Sequence, residues 1–387
     1  MLTRLQAKLV EQDATFRART VSLRAGSKTV LTPIRALHLK DSRSESRLLV
    51  NPTIRGLNEV VSSLTPEILD QINNDADRQS IFLKALQQGS GRVNFREEIS
   101  LFVFFFDGGG RVPTDQQVDY LANLVTGSPY NDIITPPILL GVSGNEYAAY
   151  LAKFFERLRS YMDSANVMGS IPHIAHIELQ PILQFYIDND VRLFALDLEG
   201  KDPIEMYPNI NNVFRAMRSI ERNLSGEECC YLHGVNMKRP RGIEKKQVTP
   251  AKDILVYEMG FNSFGSSHIR MKFSPNLPPL KNMAWILNRS DYGYYVTSSP
   301  QIHEITHEPN VTIRLTDVLA NRTASIRQKA KMFNVEQQGL EARTIQNRIQ
   351  SGELDAYLRD KAQVEDNLKR IKKKMPPATL DWFTATP

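Results

Sequence analysis

A chain of 387 residues, 41% of them hydrophobic, can bury one large core or two smaller ones. Its formal charge of +5 permits a polyanionic partner without demanding one, and its two cysteines, the adjacent Cys229 and Cys230, cannot form a disulfide framework, which predicts a reducing compartment. No run approaches the roughly 18 apolar residues of a membrane span, and the first twenty residues carry acidic groups and no apolar core, unlike a signal peptide; a soluble cytoplasmic protein is expected.

Residues 16–38 read as a hairpin, with β-rich runs flanking Ala25-Gly26-Ser27 and Thr32-Pro33 closing the second strand. Residues 57–87 read as helical and amphipathic, Thr65-Pro66-Glu67 opening the second helix. The stretch LFVFFFDGGG, residues 101–110, is the most informative. Six apolar residues without alternation predict a strand buried on both faces. Asp107 stands at its carboxyl end, where parallel α/β proteins place their chemistry. The glycines behind it, Gly108 and Gly109 among them, let backbone approach a flat ligand. A plain glycine turn capped by Asp107 is the competing reading.

From there strands and helices alternate. Helices are expected at 115–126, 146–164, 176–190 (interrupted by Pro181), 210–224 and 250–260. Strands are expected at 133–144, at 191–200 with Asp197, Glu199 and Gly200 at its end, at 229–236 and at 261–271. This alternation predicts an α/β protein with a parallel sheet, and over this length a (β/α)8 TIM-like barrel with an N-terminal β-hairpin and a C-terminal basic helical extension. Residues 272–318 read as irregular, with a loop at 274–282 and a strand at 292–299. From Leu319 onward the chain reads as helical, and positive charge gathers there in Arg322, Arg327, Lys329, Lys331, Arg343, Arg348, Lys369, Arg370, Lys372, Lys373 and Lys374. Such a face holds phosphates without reading bases, or is simply a solvated surface. The expected division is therefore 1–271 barrel with hairpin, 272–318 irregular, and 319–387 basic extension.

Several of these stretches, in this order, resemble the tRNA-guanine transglycosylase superfamily, and most of all its archaeal-like and DNA-modifying members, which insert 7-deazaguanine bases. The resemblance rests on RARTVSLRAGSKTVLTP, FFFDGGG, ILLGVSGNEY, LFALDLEGKDP, PAKDILVYEMGFNSFGSS and the helical segment from Phe333, and covers residues 16–368. It implies base exchange: one aspartate attacks C1′ of a guanosine, guanine leaves, and a second aspartate helps deprotonate the incoming base, a preQ0-type precursor. Double displacement at an anomeric carbon needs two such carboxylates. DNA is favoured over tRNA as substrate, because the zinc elements have diverged and no additional RNA-binding domain follows the helical tail.

By this resemblance Asp107 matches the acid/base position. Where the family carries its nucleophile, after a Phe on a later strand, Phe264 is followed by Gly265. Asp197, with Glu199 behind it, is the expected substitute, facing the same pocket as Asp107. Gly108, Gly109, Asp132, Ser143, Gly144, Glu199 and Asn262 are the expected substrate-binding positions. Asp132 also reads as a strand-entry residue, and Ser143 with Gly144 as a plain βα turn. The family's CxCxxC zinc motif is absent, and Phe333-Asn334 stands at its His-Asn position. His303-Glu304-Ile305-Thr306-His307 is formally an HExxH. It follows Ser299-Pro300 and is closed by Pro309, too short for the helix a metalloprotease needs. No metal or cofactor is assigned, and a replacement metal site formed by His303 and His307 stays open. With no carboxylate at 265, a non-catalytic partner subunit of such an enzyme is the alternative, and a homodimer or a partner protein stays open.

Overall fold

The computed structural model describes residues 5–38, 43–44, 47–48, 51–86, 97–127, 131–159, 166–237, 247–268, 284–305, 311–320 and 325–375. Strand β1 (Leu5–Gln12) pairs antiparallel with β2 (Arg19–Ala25), which turns into β3 (Lys28–Leu31). The expected hairpin is present and gains a strand from the segment before it. After the cis Thr32–Pro33 peptide come β4 (Ile34–Arg35) and β5 (Leu37–His38), separated only by Ala36, and then a two-stranded ribbon of β6 (Arg43–Ser44) and β7 (Arg47–Leu48).

The segment opening at Leu57 is not a helix. It is strand β8 (Leu57–Leu64), parallel over its whole length to β9 (Ile99–Phe106). Leu57, Val60, Val61 and Leu64 fall at helical spacing, which misleads a reading by periodicity. A strand buried on both faces must find ladder partners on its edges, and that requirement overrides the local pattern. The two helices follow it: α1 (Pro66–Asn74), with the Thr65 hydroxyl accepting from Ile68 N at 3.3 Å, and α2 (Ala76–Leu86).

Helix α3 (Asp115–Thr126) starts where its capping box, Thr114 with Gln117, places it. The strand expected at 133–144 shrinks to β10 (Ile138–Leu139), because Pro136 and Pro137 have no N–H for a ladder. Then follow α4 (Gly144–Leu158) and β11 (Met168–Ile171). Pro181 does not interrupt a helix. It sits in the first turn of α5 (Gln180–Asp188), where a missing N–H removes no bond. β12 (Leu193–Asp197), α6 (Tyr207–Glu221) and β13 (Tyr231–Val235) match their expected places.

Beyond β14 (Val248–Pro250), the helix expected at 250–260 is only a 3-10 turn over Ile254–Val256, and β15 (Ser263–Phe264) is all that the described residues show of the strand at 261–271. The region read as irregular contributes β16 (Trp285–Asn288) and β17 (Gly293–Val296), which form a three-stranded antiparallel sheet with β14. The loop at 274–282 lies outside the described residues. Helices α7 (Leu315–Leu319), α8 (Ser325–Gln350), α9 (Leu354–Arg359) and α10 (Glu365–Lys374) complete the ten α-helices among the described residues.

The chain is thus a mixed α/β protein with two parallel sheets, ordered β5-β8-β9-β10 and β4-β15-β13-β12-β11. Each has two distinct faces. On one, Val60, Phe102, Phe104, Phe106, Phe194, Leu196, Leu232 and Phe264 pack with the helices. On the other, Leu57, Leu101, Val103, Phe105, Leu193, Ala195 and Tyr231 form a second core, closed by Leu5, Val21, Leu23 and Val30 of the N-terminal sheet. At one pair of edges β4 and β5 are a single residue apart. At the other, Met168 N donates to Ile134 O at 2.8 Å. Among the described residues no helix is long and apolar enough to cross a membrane.

Candidate functional site

Asp107 N donates to Leu64 O at 2.8 Å, so Asp107 is still paired to β8. Strand alternation therefore sets it on the side of Val103 and Phe105, away from the helices. The chain then swings off through Gly109 and Gly110, at φ of 64° and 82°, a region that side chains resist. Asp107 remains exposed. The capping contact from Gly109 N to its Oδ1 is 3.4 Å, long for a hydrogen bond, which leaves the carboxylate open to solvent.

Asp197 ends β12 on that same side, beside Leu193 and Ala195. It is buried, and its Oδ1 accepts from Glu199 N at 2.9 Å and Asn236 Nδ2 at 2.8 Å. Burial outweighs these two donors and pushes its pKa up to about 6. Glu199, at φ 47°, turns outward to His173 Nδ1 (3.0 Å) and Lys201 Nζ (3.4 Å). Asp107 and Asp197 thus stand at the carboxyl ends of strands from the two different sheets, on corresponding faces.

A third carboxylate escaped the sequence. Glu59, on β8, is fully buried beside Gly265. Its Oε1 accepts from His233 Nε2 at 3.0 Å, and its Oε2 from His268 Nε2 at 2.9 Å and Ser266 N at 3.2 Å. Burial opposes its ionisation, but His268 and His233 outweigh that and hold it well below the usual carboxylate range. Behind His233 the bonds run on from Nδ1 to Ser263 Oγ (2.7 Å) and to the Tyr231 hydroxyl (2.6 Å). An ionised carboxylate only accepts, so His233 Nε2 donates to Glu59, and the row continues through Ser263 to Tyr231. Serine, histidine and carboxylate in this order suggest a hydrolytic triad. Ser263 is fully buried and tied to Tyr231, so no substrate reaches it.

The other expected positions are held by the fold. Asp132 accepts from Ser100 N at 2.8 Å and pairs with Lys28 Nζ at 2.7 Å, at the amino end of β9. At about 3.3 Å per residue it stands roughly 20 Å from Asp107, so the structure does not bring these two together. Ser143 precedes α4 and donates to Glu146 at 2.7 Å. Gly144 lies where a Cβ would come 1.9 Å from Glu178 O, a packing contact. Asn262 is fully buried and ties β13 to the chain before β15, accepting from Leu232 N at 2.9 Å. Asn334 clamps α8 to β16 through Leu287 N and Trp285 O. His303 is exposed on a 3-10 turn, Pro300–Glu304; His307 and Arg322 lie outside the described residues.

The basic extension divides in two. Helix α8 is largely buried, and Arg343 points inward to the carbonyls of Thr53 (3.0 Å), Leu31 (3.3 Å) and Arg55 (3.3 Å). It braces the fold. Arg327 is exposed, while Lys329 and Lys331 are half-buried. On α10, Lys369, Arg370, Lys372, Lys373 and Lys374 are all exposed. Lys369 pairs with Glu365 at 2.6 Å and Lys372 with Asp355, while Lys374 Nζ lies 4.1 Å from the Tyr207 ring at the start of α6. Helix α6 adds charge that the sequence reading overlooked. Arg17, stacked on Phe214, has its pKa lowered to about 10 by burial and by the charges of Arg218 and Arg215. Cations thus stand along α10 and, past the Lys374–Tyr207 contact, on α6.

Sequence comparison matched the chain to no known protein family and to no curated protein. Among the described residues no group of three His, Cys, Asp or Glu is placed to hold a metal ion.

Proposed function

We propose that this protein is a nucleic-acid guanine transglycosylase that exchanges guanine for a 7-deazaguanine base, with DNA the favoured substrate over tRNA. The observation that carries the reading is the pair Asp107 and Asp197, at carboxyl ends of parallel strands and on corresponding faces. In this reading the two sheets are one closed (β/α)8 barrel. The adjacency of β4 and β5 supports closure at one seam and the Met168–Ile134 bond at the other. Asp107 is then exposed at the mouth of that barrel, where a flipped-out nucleotide can reach it, and Asp197 lies buried at the same end.

Environment divides their roles, and it reverses the assignment the resemblance implies. Asp107 is the carboxylate free to attack C1′, displacing guanine and forming a glycosyl ester. Asp197, with its proton affinity near 6, is matched to carrying protons between the leaving and the incoming base. The cations of α10 and α6 support a polyanionic substrate.

A denaturing gel of the full chain incubated with DNA should trap a covalent adduct. Asp107→Asn should abolish it. Asp197→Asn should keep it and slow exchange by about 10²–10⁴-fold. The reverse outcome returns the two roles to the order of the resemblance, and full exchange in both variants refutes the pair. A second reading, the non-catalytic partner subunit, draws on the sealing of Gly265 by a carboxylate with no solvent access. Absence of any exchange, into DNA or tRNA, would establish that reading in place of the enzyme.

A further inference from the structure

Glu59 is out of reach of any substrate, yet a buried carboxylate with three donors is an expensive arrangement for packing alone. Its other connection leads to the candidate site. His268, whose ring it holds, donates its backbone N–H to Asn236 Oδ1 at 3.0 Å, and Asn236 Nδ2 donates to Asp197 Oδ1 at 2.8 Å. Asn236 is at φ 55°, just past the end of β13, so no regular ladder fixes its side chain. The partners on either side do.

We propose that Glu59 is a positioning residue for Asp197: by clamping His268 it fixes the Asn236 amide on one oxygen of that carboxyl. The consequence for base exchange rests on the function proposed above; the coupling itself does not. The charged or titratable groups that act on Asp197 are Glu199, which raises its proton affinity, and His268, which lowers it, and Asp197 in turn acts on the Tyr147 phenol. Taking the charge from Glu59 removes the anion that holds His268 and loosens the Asn236 amide. Both changes favour the protonated form of Asp197.

The experiment is a carbon-13 NMR titration of the full chain with labelled aspartate carboxyls, the Asp197 resonance being assigned by its loss in Asp197→Asn. Glu59→Gln should move the Asp197 midpoint upward by about one unit. Asn236→Gly, which tolerates the backbone and removes the middle link, should move it the same way. A purely structural role for Glu59 would lower the melting temperature and leave the midpoint where it was. An unmoved midpoint in folded Glu59→Gln overturns the proposal, as does one in Asn236→Gly if Glu59→Gln does not fold. The titration needs no activity, so a wild-type protein that exchanges no base would sink the functional reading while the midpoints still decide this one.

Discussion

A Cβ built on Gly265 would lie 2.0–2.2 Å from the carboxylate atoms of Glu59, inside any non-bonded contact. The position at which the resemblance calls for a nucleophile therefore has no room for a side chain while Glu59 sits between its histidines. Gly265→Ala should force that carboxylate out of its hydrogen bonds and cost on the order of 3–5 kcal/mol, as breaking a buried charged cluster does. Denaturant unfolding measures it; a variant as stable as wild type would mean that Glu59 is not fixed there. The sequence announces the glycine but not its neighbour. Glu59 lies 174 residues from His233 and 209 from His268, and it sits within a run whose apolar spacing mimics a helix. A lone Glu between Asn58 and Val60 in an otherwise β-prone stretch was the only local sign.

At the scale of elements, α8 and α10 look alike in composition and behave differently. Helix α8 buries polar residues alongside its apolar ones. Glu336 holds Asn51 (2.8 Å), Gln338 bridges Arg35 (2.9 Å) and Asp253 (2.7 Å), and Glu341 takes Arg289 (2.6 Å) with the hydroxyls of Tyr292 (2.6 Å) and Tyr357 (2.5 Å). The sequence shows the helix but not its burial, because polar side chains with distant partners share the buried surface with Phe333, Leu340, Ile345 and Ile349. Helix α10 keeps its lysines in water. Replacing Lys373, Lys374 and Arg215 with Gln should weaken DNA binding and flatten the slope of affinity against salt, by up to about one for each phosphate no longer neutralised. Fluorescence anisotropy at several salt concentrations reads both, and an unchanged slope would remove α10 and α6 from the interface. Arg343→Gln is the contrasting case: it should lower stability, through the three carbonyls it leaves, and keep the slope.

For the whole molecule, buried carboxyls set how stability follows pH. Burial raises the pKa of Asp197 and of Asp253 to about 6 and that of Glu258 to about 8. Among the described residues, neither oxygen of Glu258 has a hydrogen-bonding partner beyond its own backbone N–H. In these three the folded state binds protons that the unfolded chain has released, so stability falls as pH rises, from about 4 towards 8. Glu59 runs the other way: its contribution is present above an unfolded pKa of about 4.3 and is lost as pH falls below it. Unfolding free energy should therefore peak at acidic pH, at about 4 to 4.5. Glu258→Gln should raise stability at pH 8 by about 1–4 kcal/mol, with the gain vanishing at or below about pH 4. Denaturant midpoints across that range check the sign, and a wild-type optimum at pH 8 would contradict it.

What the sequence determined by itself is what neighbours within a few residues dictate. The unalternating run of β9 required burial on both faces, Thr114 and Gln117 set the start of α3, and the order of β–α units predicted parallel sheets. Asp107 and Asp197 were legible as strand-end carboxylates for the same reason. Only the tertiary structure decided that residues 57–64 pair with β9, that Asp132 is held by Lys28, that α8 is buried, and that Glu59 joins two histidines. Each of these rests on partners far away along the chain. A hydrogen-bond ladder or a desolvated charge, once such partners meet, outweighs the fraction of a kcal/mol per residue that local propensity supplies.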